Sequence, residues 1–178
     1  MELCWEDMIT DHNLIPDRYR TLKELDNAWG KTLCANQQGK TLSAMKDSFH
    51  AWREVCRLRI YRENVPEKVK VKSLVDKAEL FTMAHRQANW ARVPFVTKEH
   101  KMIGITLYSV QEGDIVCLIH RTNVPFILGK VFEEEDAEKK NHIGFRLIGE
   151  AYVHGLMDRE GIRGQDSVAR NAVDIAIL

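Results

Sequence analysis

The stretch QEGDIVCLIH, residues 111–120, decides the fold class of this chain. Its Gly-Asp pair predicts a tight hairpin, because glycine tolerates left-handed backbone and aspartate bonds to nearby amides. The apolar run that follows the turn is typical of a buried strand. Ile115 and Cys117 would share one face of this strand, and Val116 and Leu118 the other. Since both faces are apolar, the run predicts a central strand that is covered on both sides.

Four further segments with strand-like periodicity surround this stretch. Turn-forming or charged residues separate them, and they comprise residues 93–97, 102–107, 125–132 and 145–153. Five short strands at this spacing predict a small antiparallel barrel or sandwich. Upstream, apolar residues recur every three or four positions, which predicts helices over residues 17–29, 41–63 and 66–90. Asp17 is the expected N-cap of the first helix, and Gly30 is expected to end or bend that helix.

These patterns predict an α+β fold, in which an N-terminal helical segment packs on a small antiparallel five-stranded β-barrel or sandwich. The chain has 178 residues and 44% hydrophobic content, which suffices for one core with an added helical layer. We expect the helical segment to span residues 1–91, the β module residues 92–160 and a C-terminal tail residues 161–178.

Composition and charge argue against several classes of protein. Lys+Arg and Asp+Glu both number 26, so the chain lacks the basic excess that is typical of nucleic-acid binders. No signal peptide is recognisable, and no apolar run approaches the roughly 18 residues of a membrane span. The sequence therefore predicts an intracellular, cytoplasmic protein. Its cysteines are expected to be reduced and mostly buried, and they are Cys4, Cys34, Cys56 and Cys117.

Motifs for catalysis and for metal or cofactor binding are absent from the sequence. Gly-Lys-Thr-Leu occurs at residues 30–33 and 39–42, but the first glycine of a phosphate-binding loop is replaced by Leu25 and Cys34, respectively. The seven histidines show no zinc-ligand spacing with one another or with cysteine. We therefore expect no enzymatic activity, no cofactor and no bound metal.

Two groups of polar residues remain as candidate interaction sites. The first lies around the end of the last predicted strand and consists of Glu150, Tyr152, His154 and Asp158. Such a cluster can be a binding or even a catalytic site, but it is more often a turn held by side-chain hydrogen bonds. The second is a basic helix face that includes Arg53, Arg57 and Arg62. It can bind nucleic acid or an anionic surface, although such a face is ordinarily the solvated side of an amphipathic helix.

Several blocks of the sequence, taken in order, resemble one known family. They are RVPFVT (92–97), MIGI (102–105), VQEGDIVC (110–117), VPFIL (124–128) and FRLIGEAYVHGLM (145–157). Their order is similar to the region that follows the HET domain in fungal heterokaryon-incompatibility proteins. A looser match upstream, at AWGKTLCAN (28–36) and FHAW (49–52), extends the resemblance to about residues 26–158. The chain departs from the family pattern at Gly30, where arginine is more usual.

The resemblance implies a part in self/non-self recognition and programmed cell death. The HET domain, which carries the effector role in the family, is not recognisable in this sequence, so no catalytic or effector residue is carried over. The implied function is a non-catalytic, regulatory interaction module whose partner is a protein, such as a HET-domain protein. Two alternatives stay open: a basic-face binder of nucleic acid or anionic surfaces, and a truncated remnant of a larger HET protein.

Overall fold

A computed structural model of the protein describes residues 19–35, 42–60, 68–132, 142–157 and 173–178. These residues form two compact units, 19–90 and 91–178. The first unit contains the helices α1 (Leu22–Leu33), α2 (Leu42–Ile60) and α3 (Lys68–Ala88). The second contains the strands β1 (Arg92–Val96), β2 (Ile103–Leu107), β3 (Ile115–Leu118), β4 (Pro125–Phe132) and β5 (His142–Val153). The predicted α+β fold, with helices followed by an antiparallel five-stranded sheet, is confirmed.

Helix α1 starts later than the apolar pattern predicts. Thr21 is its N-cap, because the Thr21 hydroxyl oxygen accepts a hydrogen bond from the Glu24 amide at 3.1 Å. The Glu24 carboxylate in turn accepts one from the Arg20 amide at 2.9 Å, so both residues satisfy amides at the helix start. Residues 19–21 are not helical, and the predicted start at residue 17 was therefore wrong. Asp17 itself lies outside the described residues.

Gly30 lies inside α1, which continues to Leu33, so the predicted helix end at this residue was wrong. A Cβ atom at Gly30 would lie 3.3 Å from the Cδ1 atom of Phe49 on α2. The missing side chain lets the two helices approach closely. A glycine in a helix interior lowers helix stability by about 1 kcal/mol, and the close packing opposes this loss.

Aromatic rings from α2 and α3 form the centre of the helical unit. The ring centroids of Phe49 and Phe81 lie 4.9 Å apart, and those of Trp52 and Phe81 lie 5.1 Å apart. All three residues belong to the apolar stripes from which the helices were predicted. Trp29 of α1 is only 2% exposed, so the third helix of this unit also contributes a buried aromatic residue.

The five strands form one antiparallel sheet in the order β1-β2-β5-β4-β3. Strand β5 is central, since its last residues pair with β2 and the remainder pairs with β4. Two register shifts interrupt the pairing of β4 with β5, and such irregularities bend a strand. Within the described residues the sheet is open, and β1 and β3 are its edges.

The prediction of a central, covered strand over residues 115–120 was wrong. Strand β3 ends at Leu118, forms an edge of the sheet and pairs with β4. Its four residues are all half-buried. In this strand, apolar residues on both faces accompany an edge position with partial burial. The pattern therefore does not indicate a central strand.

The Gly-Asp turn before β3 forms, but it does not close a hairpin. It connects β2 to β3, which are not neighbours in the sheet. Gly113 adopts a left-handed φ of 97°, and the Asp114 carboxylate accepts a hydrogen bond from the Gln111 amide at 2.8 Å. Turn chemistry was thus predicted correctly, whereas the pairing of the flanking strands was not.

The two faces of the sheet have different environments. One face, which we call the inner face, carries a buried core of Ile127, Ala151 and Val153, against which Val116 and Phe95 pack. Directly opposed residues of neighbouring strands share a face. The outer face is therefore defined by the opposed pairs Cys117–Phe126, Phe126–Glu150 and Ile105–Tyr152.

Residues 173–178 lie beside the first half of β5. The Phe145 amide donates to the Ala176 carbonyl at 2.8 Å, and the Leu178 amide donates to the Phe145 carbonyl at the same distance. Phe145 and Ile177 form a parallel bridge. A Cβ at Gly144 would lie 2.7 Å from the Cδ1 atom of Leu178, so the glycine leaves room for this side chain.

Candidate functional site

Glu150 lies on the outer face of β5 and forms an ion pair with Arg92 of β1. The carboxylate and guanidinium atoms are 2.7 Å apart, although 58 positions separate the residues. Thr106 of the intervening β2 donates its hydroxyl to the Glu150 carbonyl at 3.1 Å. The side chains of Arg92 and Glu150 are 22% and 59% exposed. The pair thus ties three strands together in a hydrated setting, where an ion pair contributes at most about 1 kcal/mol.

The other members of the predicted cluster have different environments. Tyr152 is 5% exposed and lies opposite Ile105 on the paired strand. His154 is half-buried in the turn after β5, and its backbone amide donates to the Ile103 carbonyl at 2.9 Å. Asp158 lies outside the described residues. The structure thus places Glu150 and Tyr152 on one face, but Tyr152 presents little surface to a partner.

Two residues of the predicted basic face have acidic neighbours. Arg53 lies 2.7 Å from the Asp26 carboxylate of α1, and its guanidinium carbon lies 5.8 Å from the ring centroid of Phe49. Arg57 lies 3.7 Å from the Glu54 carboxylate on the same helix. An anionic partner would therefore compete with an acidic side chain for each arginine. Arg62 lies outside the described residues.

The outer face also carries three exposed apolar side chains that the sequence reasoning missed, and the exposed Lys130 lies among them, because it opposes Phe145 on the same face. Phe132, Leu147 and Ile177 are 43%, 45% and 50% exposed, and we call these three residues the outer strip. Leu147 opposes Leu128, which alternates onto the same face as Phe132 along β4. Ile177 bridges Phe145, two positions before Leu147. The signal in the sequence was the alternation around Leu147, but only the pairing shows that the three side chains share a face.

His85 of α3 helps to close the end of α1. Its Nδ1 lies 3.2 Å from the Leu33 carbonyl, and the Asn89 side-chain amide donates to the same oxygen. A carbonyl in the last turn of a helix has no partner within its own helix, so the two side chains satisfy it. Burial lowers the pKa of His85, while the hydrogen bond to Leu33 acts in the opposite direction. The lowered pKa follows from this structural position.

Within the described ranges, Cys117 is the other ionisable group with a shifted pKa. Burial raises the pKa of its thiol, and a backbone hydrogen bond from Phe126 partly opposes this shift. A higher thiol pKa means less thiolate at neutral pH, and the thiolate is the nucleophile. Cys117 is therefore suited to packing within β3 and poorly suited to covalent chemistry.

The described ranges offer few further features of a functional site. No three His, Cys, Asp or Glu side chains in them come close enough to hold a metal ion. None of the three described helices is long and apolar enough to cross a bilayer.

Comparison with known protein families gives one match. The sequence model of the Het-6 beta-barrel domain matches residues 63–167, which is more than half of the chain. The chain belongs to the Het-6 beta-barrel domain family. In this Het-6 barrel protein the matched range includes α3 and all five strands. No curated protein and no solved structure matches the chain significantly.

Membership of the Het-6 barrel family confirms that the predicted resemblance identified the correct group of proteins. The chain is related to heterokaryon-incompatibility proteins, as the ordered sequence blocks indicated. The position of this region after a HET domain stays a prediction.

Proposed function

We propose that this protein is a non-catalytic accessory module of the heterokaryon-incompatibility system, and that it acts by binding a protein partner. The family relationship supports the system in which it acts. The outer strip is the observation that carries the binding role. In this proposal the partner is a HET-domain protein, which the module regulates during self/non-self recognition and programmed cell death.

The three apolar side chains of the outer strip have the chemistry of an interface centre, and the exposed Lys130 on the same face places one charge beside them. Cores of such interfaces are apolar, are enriched in aromatic residues and exclude charge, while their rims are polar. Phe132, Leu147 and Ile177 are large and exposed. The first two lie in the paired strands β4 and β5, and Ile177 forms an isolated bridge to β5. A rigid sheet presents them with little loss of conformational freedom on binding, which favours affinity. The charged pair Arg92–Glu150 lies on the same face and supplies a polar element.

The two pKa shifts found among the described residues have structural explanations. Perturbed pKa values often mark catalytic groups, because enzymes tune acids, bases and nucleophiles. Here burial accounts for both shifts: His85 satisfies a helix end and Cys117 packs in an edge strand. Neither shift therefore calls for a catalytic explanation.

A co-precipitation experiment with matched variants tests the proposal. The tagged protein is expressed together with a HET-domain protein, and the amount of that protein in the precipitate is measured. Leu147→Asp combined with Ile177→Asp should abolish co-precipitation, because a charge in the centre of an interface is costly to desolvate. Tyr108→Asp is the control, since Tyr108 is 74% exposed and lies in a turn after β2.

Circular dichroism and thermal melting of all three proteins show whether the substitutions leave the fold intact. Loss of the HET-domain protein in the strip variant alone supports the proposal. Absence of co-precipitation with the wild type overturns it, and so does equal recovery by the wild type and a folded strip variant.

A further inference from the structure

The helical unit contains a cleft of about 630 Å³ that lies along α1. This size falls within the range of roughly 300–1,000 Å³ that is typical of small-molecule sites. Among the described residues, its apolar lining comprises Gly30 of α1 and Cys34 at the C-cap of that helix, Met45 and Phe49 from α2, and Phe81 from α3. Cys34, Met45, Phe49 and Phe81 are each at most 9% exposed.

Gly30 keeps this part of the cleft free of its own side chain. The space where its Cβ would stand is 3.3 Å from the Phe49 ring, so a larger residue there would displace the ring. The Cys34 thiol is turned to the backbone and lies 3.2 Å from the Gly30 carbonyl. The Phe49 ring and the buried side chains beside it thus form an apolar surface within one unit of the protein.

The charged residues that line the cleft are not balanced. Two of them are acidic, and both are already engaged: Glu24 accepts from the Arg20 amide and Asp26 pairs with Arg53. Three are lysines, and none of these forms an ion pair with a described residue. They are Lys23, Lys31 and Lys46. The cleft therefore combines an apolar surface with positive charge that no described acidic residue neutralises.

From this combination we propose that the cleft binds a small amphipathic anion, an apolar molecule with one acidic group, such as a fatty acid. The apolar body packs on Phe49 and Phe81, where burial from water supplies the affinity. The acidic group pairs with Lys31 and Lys46, which flank the cleft from α1 and α2. This proposal does not depend on the outer strip, which lies in the other unit.

Calorimetric titration with two single-chain amphiphiles of equal length tests both halves of the proposal. The anion dodecanoate should bind the wild-type protein below its micelle concentration, and the cation dodecyltrimethylammonium should not. Lys31→Glu combined with Lys46→Glu should weaken dodecanoate binding at least about tenfold, through the loss of charge-assisted contacts. Lys72→Glu combined with Lys77→Glu is the control, because both residues are exposed on α3 and do not line the cleft.

A second variant tests the apolar half of the site. Asn27 is exposed and lines the cleft, so Asn27→Trp should fill the space and abolish binding without disturbing the core. Equal binding of the two amphiphiles overturns the proposal, as does dodecanoate binding that survives Asn27→Trp in a folded protein. Binding to anionic lipid vesicles without binding to monomeric dodecanoate also overturns it, since the ligand would then be a membrane surface.

Discussion

Gly104 of β2 occupies the most restricted position among the glycines of the sheet, and Gly104→Ala tests how the sheet is packed. A Cβ at this position would lie 2.6 Å from the Cζ atom of Phe95 and 2.6 Å from the Tyr152 carbonyl oxygen. Non-bonded carbon atoms prefer separations of about 3.5–4.0 Å. The methyl group would therefore come about 1 Å too close to two neighbours at once.

These two neighbours differ in how they can respond. The Phe95 ring belongs to the inner core and can move only by disturbing that packing. The Tyr152 carbonyl belongs to β5, whose next residue, Val153, opposes Gly104 in the sheet. Overpacking costs typically about 1–3 kcal/mol, and the rigid backbone contact places this case near 3 kcal/mol. The equilibrium between folded and unfolded β2 should then shift about a hundredfold.

Hydrogen exchange measured by mass spectrometry is the direct assay, because peptides from β2 and β5 report the stability of this part of the sheet. A double-mutant cycle with Phe95→Leu, which removes Cζ, separates the ring contact from the carbonyl contact. The two substitutions should be coupled by about 1 kcal/mol or more. A destabilisation below about 1 kcal/mol for Gly104→Ala, or strict additivity with Phe95→Leu, would refute this account of the packing.

Three further predictions concern the turn, a buried histidine and an ion pair. Gly113→Ala should lower the free energy of unfolding in urea by about 1 kcal/mol, because its φ is 97° and no atom lies within 4 Å of the new methyl group. A loss above about 3 kcal/mol would contradict this open environment. Since the pKa of His85 is lowered from 6.5, the unfolded chain binds this proton more readily, and stability should fall as the pH decreases through about 6.5. The difference between the urea midpoints at about pH 7.5 and about pH 5.5 should therefore be smaller in His85→Gln than in the wild type. His100→Gln is the control at an exposed turn position, and it should leave that difference unchanged. In a double-mutant cycle of thermal stability, Arg92→Gln and Glu150→Gln should couple by less than about 1 kcal/mol; a value above about 2 kcal/mol would show that water does not reach the pair.

The strands were predictable because their ends carry local chemical signals. Strands β1, β2 and β4 lie within one residue of the segments predicted from turn residues and apolar runs. The order of the strands was not predictable in the same way. Pairing depends on contacts between segments far apart in the chain, and the apolar run of β3 suits an edge next to β4 as well as a centre. The predicted start of α1 lay too far towards the N-terminus, because the apolar spacing continues upstream of the true N-cap at Thr21.

The candidate sites depend even more on tertiary contacts. Glu150 was singled out as a polar residue near a strand end, but nothing in the sequence relates it to Arg92. Gly30 and Phe49 line the cleft from two different helices, and in the sequence that glycine reads as a helix end. Local periodicity reports which face of an element is apolar. It does not report which apolar residues remain uncovered after the elements have paired.

The arrangement of the sheet limits how a partner can bind the strand unit. Its inner face is occupied by its own core, where Ile127 and Val153 are at most 1% exposed. Addition of a partner strand to β1 is disfavoured, because Pro94 lies within that edge and has no backbone N–H to donate. Beside the first half of β5, residues 173–178 already form main-chain hydrogen bonds. Two described surfaces of the sheet that stay open to a partner are the edge of β3 and the outer strip. Strand addition at β3 would depend on main-chain hydrogen bonds, so it would survive the aspartate substitutions at Leu147 and Ile177. Side-chain docking on the outer strip would be lost in that variant. The same variant therefore distinguishes the two modes of binding.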